Sequence, residues 1–327
     1  HYHWDNILVP RDWRRQGHDD YTGMAWYRAT FELDLTRAQV LSEIDQLGIS
    51  VVKVHSAYEI YVNGVLLGGD GKLPPEPSMV HDRMRIYSIP RSLVQDDGLL
   101  LVAIRVWRDP VLGGSSTAGL YEEPVRLGRV LDLTKAVWFP EVRTLMLDII
   151  YLTIGLYHLY LYTRNRRLPE FLWFGLATIL VAIYSLEVSQ WRFIYDGLPY
   201  LLHKKIEYFT VYLLPAIGLQ LVWSLLQFSP GKLHRAYQLG FVAFASLVAL
   251  VPGHNIHAVT LFSWQLYLLP GLLCMLVHII WEALNGSREA RTMLVGWGIF
   301  VCAVISDIMV AQGVVQHPRF LTLGFSA

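Results

Sequence analysis

The hydrophobic and polar positions of this 327-residue chain follow two different periods. From Ala25 to Trp107, apolar and polar residues alternate with a period of two, which is typical of strands with one buried face. The strongest turn signal between these runs is Asn63-Gly64, because both residues tolerate a positive φ angle. We predict a β-sandwich of short strands, with strands at 25–33, 50–56, 58–62, 65–68, 84–88 and 99–107 and a helical turn or loop at 35–46.

Beyond Trp138 the alternation gives way to long apolar runs. We predict transmembrane helices near 142–162, 169–190, 206–228, 236–252, 258–284 and 290–313. Each has about 17–27 residues, enough to cross roughly 30 Å of hydrocarbon. A seventh run begins at Arg319 and the sequence stops at Ala327, so we expect a seventh helix that is truncated here. The expected fold class is a β-sandwich followed by an all-α seven-helix transmembrane bundle.

The distribution of charge supports a division into two domains, at 1–137 and 138–327. Residues 1–140 contain 15 Lys and Arg and 18 Asp and Glu, whereas the longer remainder contains 12 and 9. The overall net charge of zero leaves no excess of basic residues for nucleic acid, so we expect no nucleic-acid partner. Both cysteines, Cys274 and Cys302, lie in apolar runs, so the first domain must form its core without a disulfide.

The short loops between the helices indicate the orientation of the bundle, because cytoplasmic loops are enriched in Lys and Arg. Loops 163–167, 231–235 and 287–291 carry seven Lys and Arg, whereas the alternate loops carry four, namely Arg192, Lys204, Lys205 and Arg319. We therefore predict that the first set of loops is cytoplasmic. The N-terminal domain would then be periplasmic, and the chain beyond the seventh helix would be cytoplasmic.

Three segments of the first domain resemble the sugar-binding domain of family-two glycoside hydrolases. They are GMAWYRATF (23–31), YEIYVNGVLLG (58–68) and GLLLVAIRV (98–106), in the order in which that family has them. The resemblance covers about residues 4–110 and implies a galactose-binding-like jelly roll. It also implies that Trp26 is a core residue and that Arg28 is a structural ion-pair partner. In those hydrolases the catalytic carboxylates lie on a separate barrel, so the resemblance does not imply hydrolysis.

The whole layout resembles the bacterial seven-transmembrane receptors with diverse intracellular signalling modules. That resemblance implies a jelly-roll sensor outside the inner membrane and a carbohydrate-like or other small-molecule ligand. It also implies a phosphatase, histidine kinase or diguanylate cyclase on the cytoplasmic side, beyond residue 327. The implied partners are therefore a ligand, membrane lipid, a cytoplasmic signalling module and, in many such receptors, a second copy of the chain.

A sugar site needs an aromatic face for C–H groups and polar side chains for hydroxyl groups. Arg105 and Trp107 share one face of the predicted strand 99–107 and, with Ser115 in the loop that follows, would form one wall of such a site. Further polar contacts would come from Asp70 and Arg85.

Ionisable residues inside apolar helices are costly and are therefore functional candidates. The candidates for a transmembrane polar network are Asp307, Glu187, His158 and His278. Such a network would suit a receptor that rearranges between two states. It would equally suit a proton path in a transporter, or simple hydrogen bonding between helices.

Four histidines fall in or beside the predicted outer loops: His203, His254, His257 and His317. Imidazoles gathered at one membrane face would bind a metal or sense pH. Histidine at an interface is common, however, so we expect no metal site.

The sequence contains no Walker loop, dinucleotide fingerprint, H-E-x-x-H or C-x-x-C motif, so we expect neither a cofactor nor an enzyme within these residues. The leading hypothesis is a receptor that senses a carbohydrate-like ligand and signals through seven helices to an effector. One alternative is an ion-coupled transporter that uses Asp307 and Glu187. Another is a membrane scaffold whose sandwich binds a protein.

Overall fold

A computed structural model of the chain describes residues 4–18, 21–34, 46–110, 119–121, 124–194, 199–253 and 255–311. Ser115, His254, His317 and the predicted seventh helix lie outside these residues, as does nearly all of the segment predicted at 35–46. The chain divides into two units, 1–143 and 144–327, and each is described by itself. The domain boundary predicted at 137/138 stays a prediction.

The first unit is an antiparallel β-sandwich. Its strands are β1 (Gly23–Glu32), β2 (Leu47–Val51), β3 (Val54–Val62), β4 (Val65–Asp70), β5 (Val80–His81), β6 (Arg85–Ser88), β7 (Leu99–Arg108), β8 (Gly119–Leu120) and β9 (Arg126–Arg129). The larger sheet has the strand order β1-β7-β3-β4, with β5 and β8 also pairing with β3, and the smaller sheet has the order β6-β2-β9.

The core of the sandwich lies between the two sheets. Ile60 of β3 and Ile104 of β7 face Ile49 of β2, and all three are almost completely buried in one cluster of apolar side chains. Alternate residues of β3 and β7 therefore point inward, as the period of two predicts. Trp13, in the short 3-10 helix Trp13–Gln16, belongs to the same cluster.

The run predicted as one strand at 50–56 is divided between the two sheets. β2 ends at Val51 in the smaller sheet, and β3 begins at Val54 in the larger sheet. Val51 and Val52 before this crossing and Val54 after it are buried, and Lys53 between them is partly exposed. A single lysine between valines matches the alternation of one continuous strand. Hydrophobic periodicity therefore has no signal for the break.

The described residues hold six long helices, each apolar and long enough to cross a membrane. They are α1 (Val130–Arg164), α2 (Pro169–Val188), α3 (Tyr200–Leu225), α4 (Lys232–Leu250), α5 (Asn255–Leu284) and α6 (Arg288–Ala311). A short 3-10 helix, Gln190–Ile194, follows α2. The prediction of a sandwich followed by a transmembrane helical bundle is confirmed.

Two helices, α1 and α3, begin six or more residues earlier than predicted. α1 begins at Val130 instead of near 142, and its first turns contain Asp132 and Lys135. α3 begins at Tyr200 instead of near 206. In both places the first turns are too polar to register as an apolar run, although a helix needs no apolar sequence to form.

Two tyrosines join α4 to α5 in the second unit. The rings of Tyr237 and Tyr267 are stacked with centroids 4.6 Å apart, and each hydroxyl donates to the backbone carbonyl of the other tyrosine. The Tyr237 hydroxyl also accepts from the amide of Gly271 at 3.0 Å. Pro270 lies beside this position and lacks the amide that an ordinary helix would use.

This contact requires glycine on both helices. A Cβ atom on Gly271 would lie 2.6 Å from the Tyr237 hydroxyl oxygen, and one on Gly240 would lie 2.3 Å from that of Tyr267. The two glycines therefore let α4 and α5 approach closely, as small residues do at helix contacts in membranes.

Candidate functional site

The outer face of the larger sheet carries an exposed aromatic pair beside an ion pair. The strand register aligns Trp26 of β1 with Arg105 of β7, and Arg105 with Glu59 of β3. These three side chains share the face opposite the core, because their neighbours along each strand point inward. Tyr61, two residues after Glu59, lies on the same face. We call Trp26, Glu59, Tyr61 and Arg105 the aromatic platform.

The aromatic rings of the platform reach across one strand to meet. The centroids of Trp26 and Tyr61 are 5.5 Å apart with an interplanar angle of 44°, although β7 lies between their strands. The β7 residue aligned with Tyr61 is Ala103, whose small side chain leaves room above it. Trp26 is 46% exposed, so much of its ring surface is available to a ligand.

The charged groups of the platform are held by one another. The Tyr61 hydroxyl donates to Glu59 Oε2 at 2.8 Å, and Arg105 lies 3.4 Å from the same oxygen. Arg105 also lies over the Trp26 ring, 5.8 Å from its centroid, within the range of a cation–π contact. The hydrogen bond to Glu59 raises the pKa of Tyr61 above its usual value, because the carboxylate favours the protonated hydroxyl.

The expectation that Trp26 belongs to the core is wrong. Tyr27 is the inward residue of this pair: it packs against the core cluster, and its hydroxyl accepts from the amide of Leu120 at 3.3 Å. Parity along β1 groups Trp26 with Arg28, which is also exposed, but parity alone does not say which face is buried. The resemblance to the hydrolase domain predicted this strand correctly but assigned Trp26 to the buried face, whereas Trp26 lies on the exposed one.

The structure divides the predicted ligand residues between two faces. Asp70 is buried and pairs with Arg85 at 3.4 Å. It is aligned with the core residue Tyr58, so this ion pair joins the two sheets on the side opposite Arg105. Trp107 shares the face of Arg105 and covers Gly23, where a Cβ atom would lie 3.8 Å from the indole ring. Ser115 lies outside the described residues.

In the second unit, Glu187 near the end of α2 binds a histidine of α3. Glu187 Oε2 lies 2.8 Å from His203 Nδ1, and both side chains are largely buried. Arg192, in the 3-10 helix after α2, donates to the backbone carbonyl of Glu187 at 2.9 Å. His203, expected in an outer loop, thus belongs to the polar network predicted around Glu187.

A second buried ion pair lies one turn further along α3. Lys204 Nζ donates to Glu207 at 2.7 Å, and both side chains are at least nine-tenths buried. Glu207 lines a cavity of about 380 Å³ within the bundle, and Asp307 of α6 lines the same cavity. The structure therefore associates Asp307 with Glu207, whereas Glu187 is not among the lining residues.

His158 and His278 lie among aromatic rings, away from these ion pairs. The His158 ring is 4.6 Å from that of Phe174, and its Nδ1 lies 2.8 Å from the carbonyl of Ile154. The His278 ring is 5.1 Å from that of Phe228. Across the residues described, no three His, Cys, Asp or Glu side chains gather in a way that could hold a metal ion. His257 packs on a tyrosine ring instead.

Sequence reasoning missed Glu59, Tyr61, Lys204 and Glu207. Glu59 and Tyr61 could have been found from the Asn63-Gly64 turn, because it fixes which residues of the preceding strand share a face. Lys204 and Glu207 have the i, i+3 spacing of an ion pair on a helix. That signal was lost because α3 was expected to begin only near 206.

The sandwich is similar in structure to parts of several β-glucuronidases. That of Bifidobacterium dentium, complexed with coumarin-3-O-glucuronide, has 17% identity and a TM-score of 0.26 over 34% of this chain and 16% of its own. That of Bacteroides uniformis has 20% identity and a TM-score of 0.29 over 38% and 14%. The match thus spans only about one-sixth of the length of these enzymes. No curated protein sequence matches the chain.

The second unit matches a known family. A model described as 7TM diverse intracellular signalling matches residues 143–327, more than half of the chain. The matched residues include most of α1 and all of α2 to α6, so the chain is a multi-pass membrane protein. The chain belongs to the 7TM diverse intracellular signalling family of membrane receptors.

Proposed function

We propose that the β-sandwich senses a carbohydrate-like ligand on the aromatic platform and that the bundle passes the signal to a cytoplasmic effector. The exposed Trp26–Tyr61 pair beside the Glu59–Arg105 ion pair carries this proposal. Aromatic rings offer flat apolar surface to the C–H groups of a sugar ring. The carboxylate accepts from sugar hydroxyls and the guanidinium donates to them.

The surroundings of the platform favour an extended ligand over a deeply buried one. On β4, Gly69 is the residue aligned with Glu59, so β4 has no side chain directly beside Glu59. Arg28, exposed on the same face, adds further donors beyond Trp26. An oligosaccharide lying across the strands would therefore contact rings and charged groups along its length.

The distribution of basic residues supports a periplasmic position for the sandwich. Two of the four outer cations are buried in the bundle: Arg192 holds the Glu187 carbonyl and Lys204 holds Glu207. Lys205 donates to the carbonyls of Ala249 and Val251 at the end of α4. The outer loops carry four Lys and Arg against seven in the loops predicted to be cytoplasmic, and this excess favours a periplasmic sandwich.

The buried ion pairs of α2 and α3 are suited to a bundle with two arrangements. A buried carboxylate or ammonium must keep a partner, because leaving it without one costs several kcal/mol. Such groups therefore favour discrete exchanges of partner over gradual movement. A ligand shifts the balance between arrangements only if it binds them with different affinities.

Glycan binding to the full chain in lipid nanodiscs tests this proposal. We expect saturable binding of at least one glycan class on an array, and we expect Trp26→Ala to weaken it about tenfold or more, because removal of an aromatic anchor typically costs over 1.4 kcal/mol. Arg105→Gln should also weaken binding. The matched control is Trp4→Ala, which removes a tryptophan of similar exposure outside the larger sheet.

An equal loss of glycan binding in the Trp4→Ala and Trp26→Ala variants would contradict a site on the aromatic platform. Undiminished glycan binding by Trp26→Ala would contradict it as well. If no glycan binds but a protein is captured through Trp26, the sandwich is a protein-recognition module.

A further inference from the structure

The bundle cavity has a chemical character of its own, distinct from the platform on the sandwich. Helices α2 to α6 all contribute to its lining, which is mostly apolar. Its volume of about 380 Å³ falls within the range of small-molecule sites, which run from roughly 300 to 1,000 Å³. The cavity is therefore large enough for a compact organic molecule.

Seven aromatic side chains lie among the more numerous aliphatic ones of the lining. The aromatic ones include Tyr184, Tyr208, Tyr237, Trp264 and Trp297. The faces of such rings carry negative electrostatic potential and attract cations, most strongly where water is excluded. A compact molecule of any charge would fit the cavity by size, but the aromatic rings favour a positively charged one.

The charged residues of the lining also favour a positively charged ligand. Glu207 and Asp307 line the cavity, and Lys, Arg and His do not occur among the described residues that line it. Lys204 binds Glu207 from outside the lining. Carboxylates in an apolar membrane bundle are costly and mark ligand or ion sites by default.

From these observations we propose that the bundle cavity binds an organic cation with an apolar body, such as a hydrophobic amine or quaternary ammonium compound. The apolar body would pack against the apolar side chains of the lining, and the cationic head would lie among the aromatic rings and the acidic residues. This would be a second ligand site of the receptor, separate from carbohydrate recognition, and it would let a membrane-permeable cation bias the arrangement of the helices.

One glycine offers a way to block the cavity without disturbing its walls. Gly218 of α3 lines the cavity, and a Cβ atom at this position would meet no atom within 4 Å. Gly218→Leu should therefore extend a side chain into the cavity from a position at which its Cβ atom displaces no neighbour. Gly298 of α6 is also free of contacts within 4 Å but does not line the cavity, so Gly298→Leu is the matched control.

The experiment measures binding of radiolabelled benzyltriethylammonium to the full chain in phosphatidylcholine nanodiscs, with empty nanodiscs as background. We expect saturable binding of one cation per chain and at least tenfold weaker binding of its uncharged carbon isostere. Gly218→Leu should abolish binding, whereas Gly298→Leu should preserve it. Asp307→Asn should weaken binding about tenfold, and the thermal unfolding midpoint of each variant shows that it is folded.

Equal affinity for the cation and its isostere would overturn the proposal, because the cavity would then be an apolar void without charge selectivity. Unchanged binding by Gly218→Leu would place the cation elsewhere, and absence of saturable binding would exclude the site. Should Asp307→Asn fail to fold, Gly218→Leu and the isostere still decide the outcome. Glycan binding is read separately, so failure of this site leaves the proposal for the sandwich intact.

Discussion

Tyr27 shows how burial changes the chemistry of a single side chain. Its ring packs into the core of the sandwich, and burial raises the pKa of its hydroxyl to about 12. In the unfolded chain the same hydroxyl has a pKa of about 10. The folded state therefore keeps a proton that the unfolded state loses first, and the stability that depends on it is complete below about pH 10 and declines above it.

We predict that Tyr27→Phe reduces the alkaline sensitivity of the sandwich. For the unmodified chain the loss from this residue should be on the order of 1 kcal/mol between pH 10 and pH 11. Thermal unfolding midpoints followed by tryptophan fluorescence from pH 8 to pH 11 would measure it. A Tyr27→Phe curve parallel to that of the unmodified chain would show that this hydroxyl does not cause the loss.

Trp26 shows why the face of a strand was harder to predict than the strand. Tryptophan and tyrosine are both amphipathic, so adjacent Trp26 and Tyr27 give hydropathy no basis for a choice. The charged residues that decide it, Glu59 and Arg105, lie on other strands. Their register with Trp26 depends on the order of strands in the sheet, which one sequence does not contain.

At the scale of elements, the contact between α4 and α5 depends on the absence of two side chains. Gly240 and Gly271 each lie against the hydroxyl of a tyrosine from the other helix. The repeated YLLP tetrapeptide of α3 and α5 marks proline positions in the sequence. A glycine follows the proline directly in α5, whereas an alanine follows it in α3. The sequence does not reveal that the Tyr237 hydroxyl of α4 lies against this glycine.

We predict that Gly271→Ala destabilises the bundle by about 1–3 kcal/mol, because overpacking of a close contact forces side chains and backbone apart. Gly218→Ala is the control, since its new methyl group meets open space and alanine is the better helix former. Thermal unfolding in nanodiscs compares the two variants. A control variant that loses as much stability as Gly271→Ala would contradict this account of the contact.

For the whole molecule, the change of hydrophobic period was enough to predict both parts of the fold. Alternation gave the sandwich and long apolar runs gave the helices, because burial between sheets and burial in lipid impose different spacings. The candidate sites were harder to predict from the sequence. Glu187 contacts His203 across a helix junction, and Glu207 and Asp307 come from different helices to line one cavity. Both arrangements depend on how the helices pack.

We predict that the loop after α1 is cytoplasmic and that the sandwich and the loop after α4 are outside. In a chain with Cys274 and Cys302 replaced by alanine, single cysteines at Glu76, Asn165 and Pro252 lie at exposed positions. A membrane-impermeant maleimide applied to intact cells should label the first and third but not Asn165→Cys. All three should be labelled after lysis, and the reverse pattern in intact cells would invert the proposed topology.

The bridge made by the Tyr237 hydroxyl has a kinetic consequence for the receptor. The amide hydrogen of Gly271 is bound by a side chain of α4, so a partner helix protects it. Its exchange with solvent deuterium therefore requires α4 to separate from α5, even while α5 remains helical. In a bundle that changes its arrangement, this single amide reports the opening of one helix contact on the timescale on which that contact breaks.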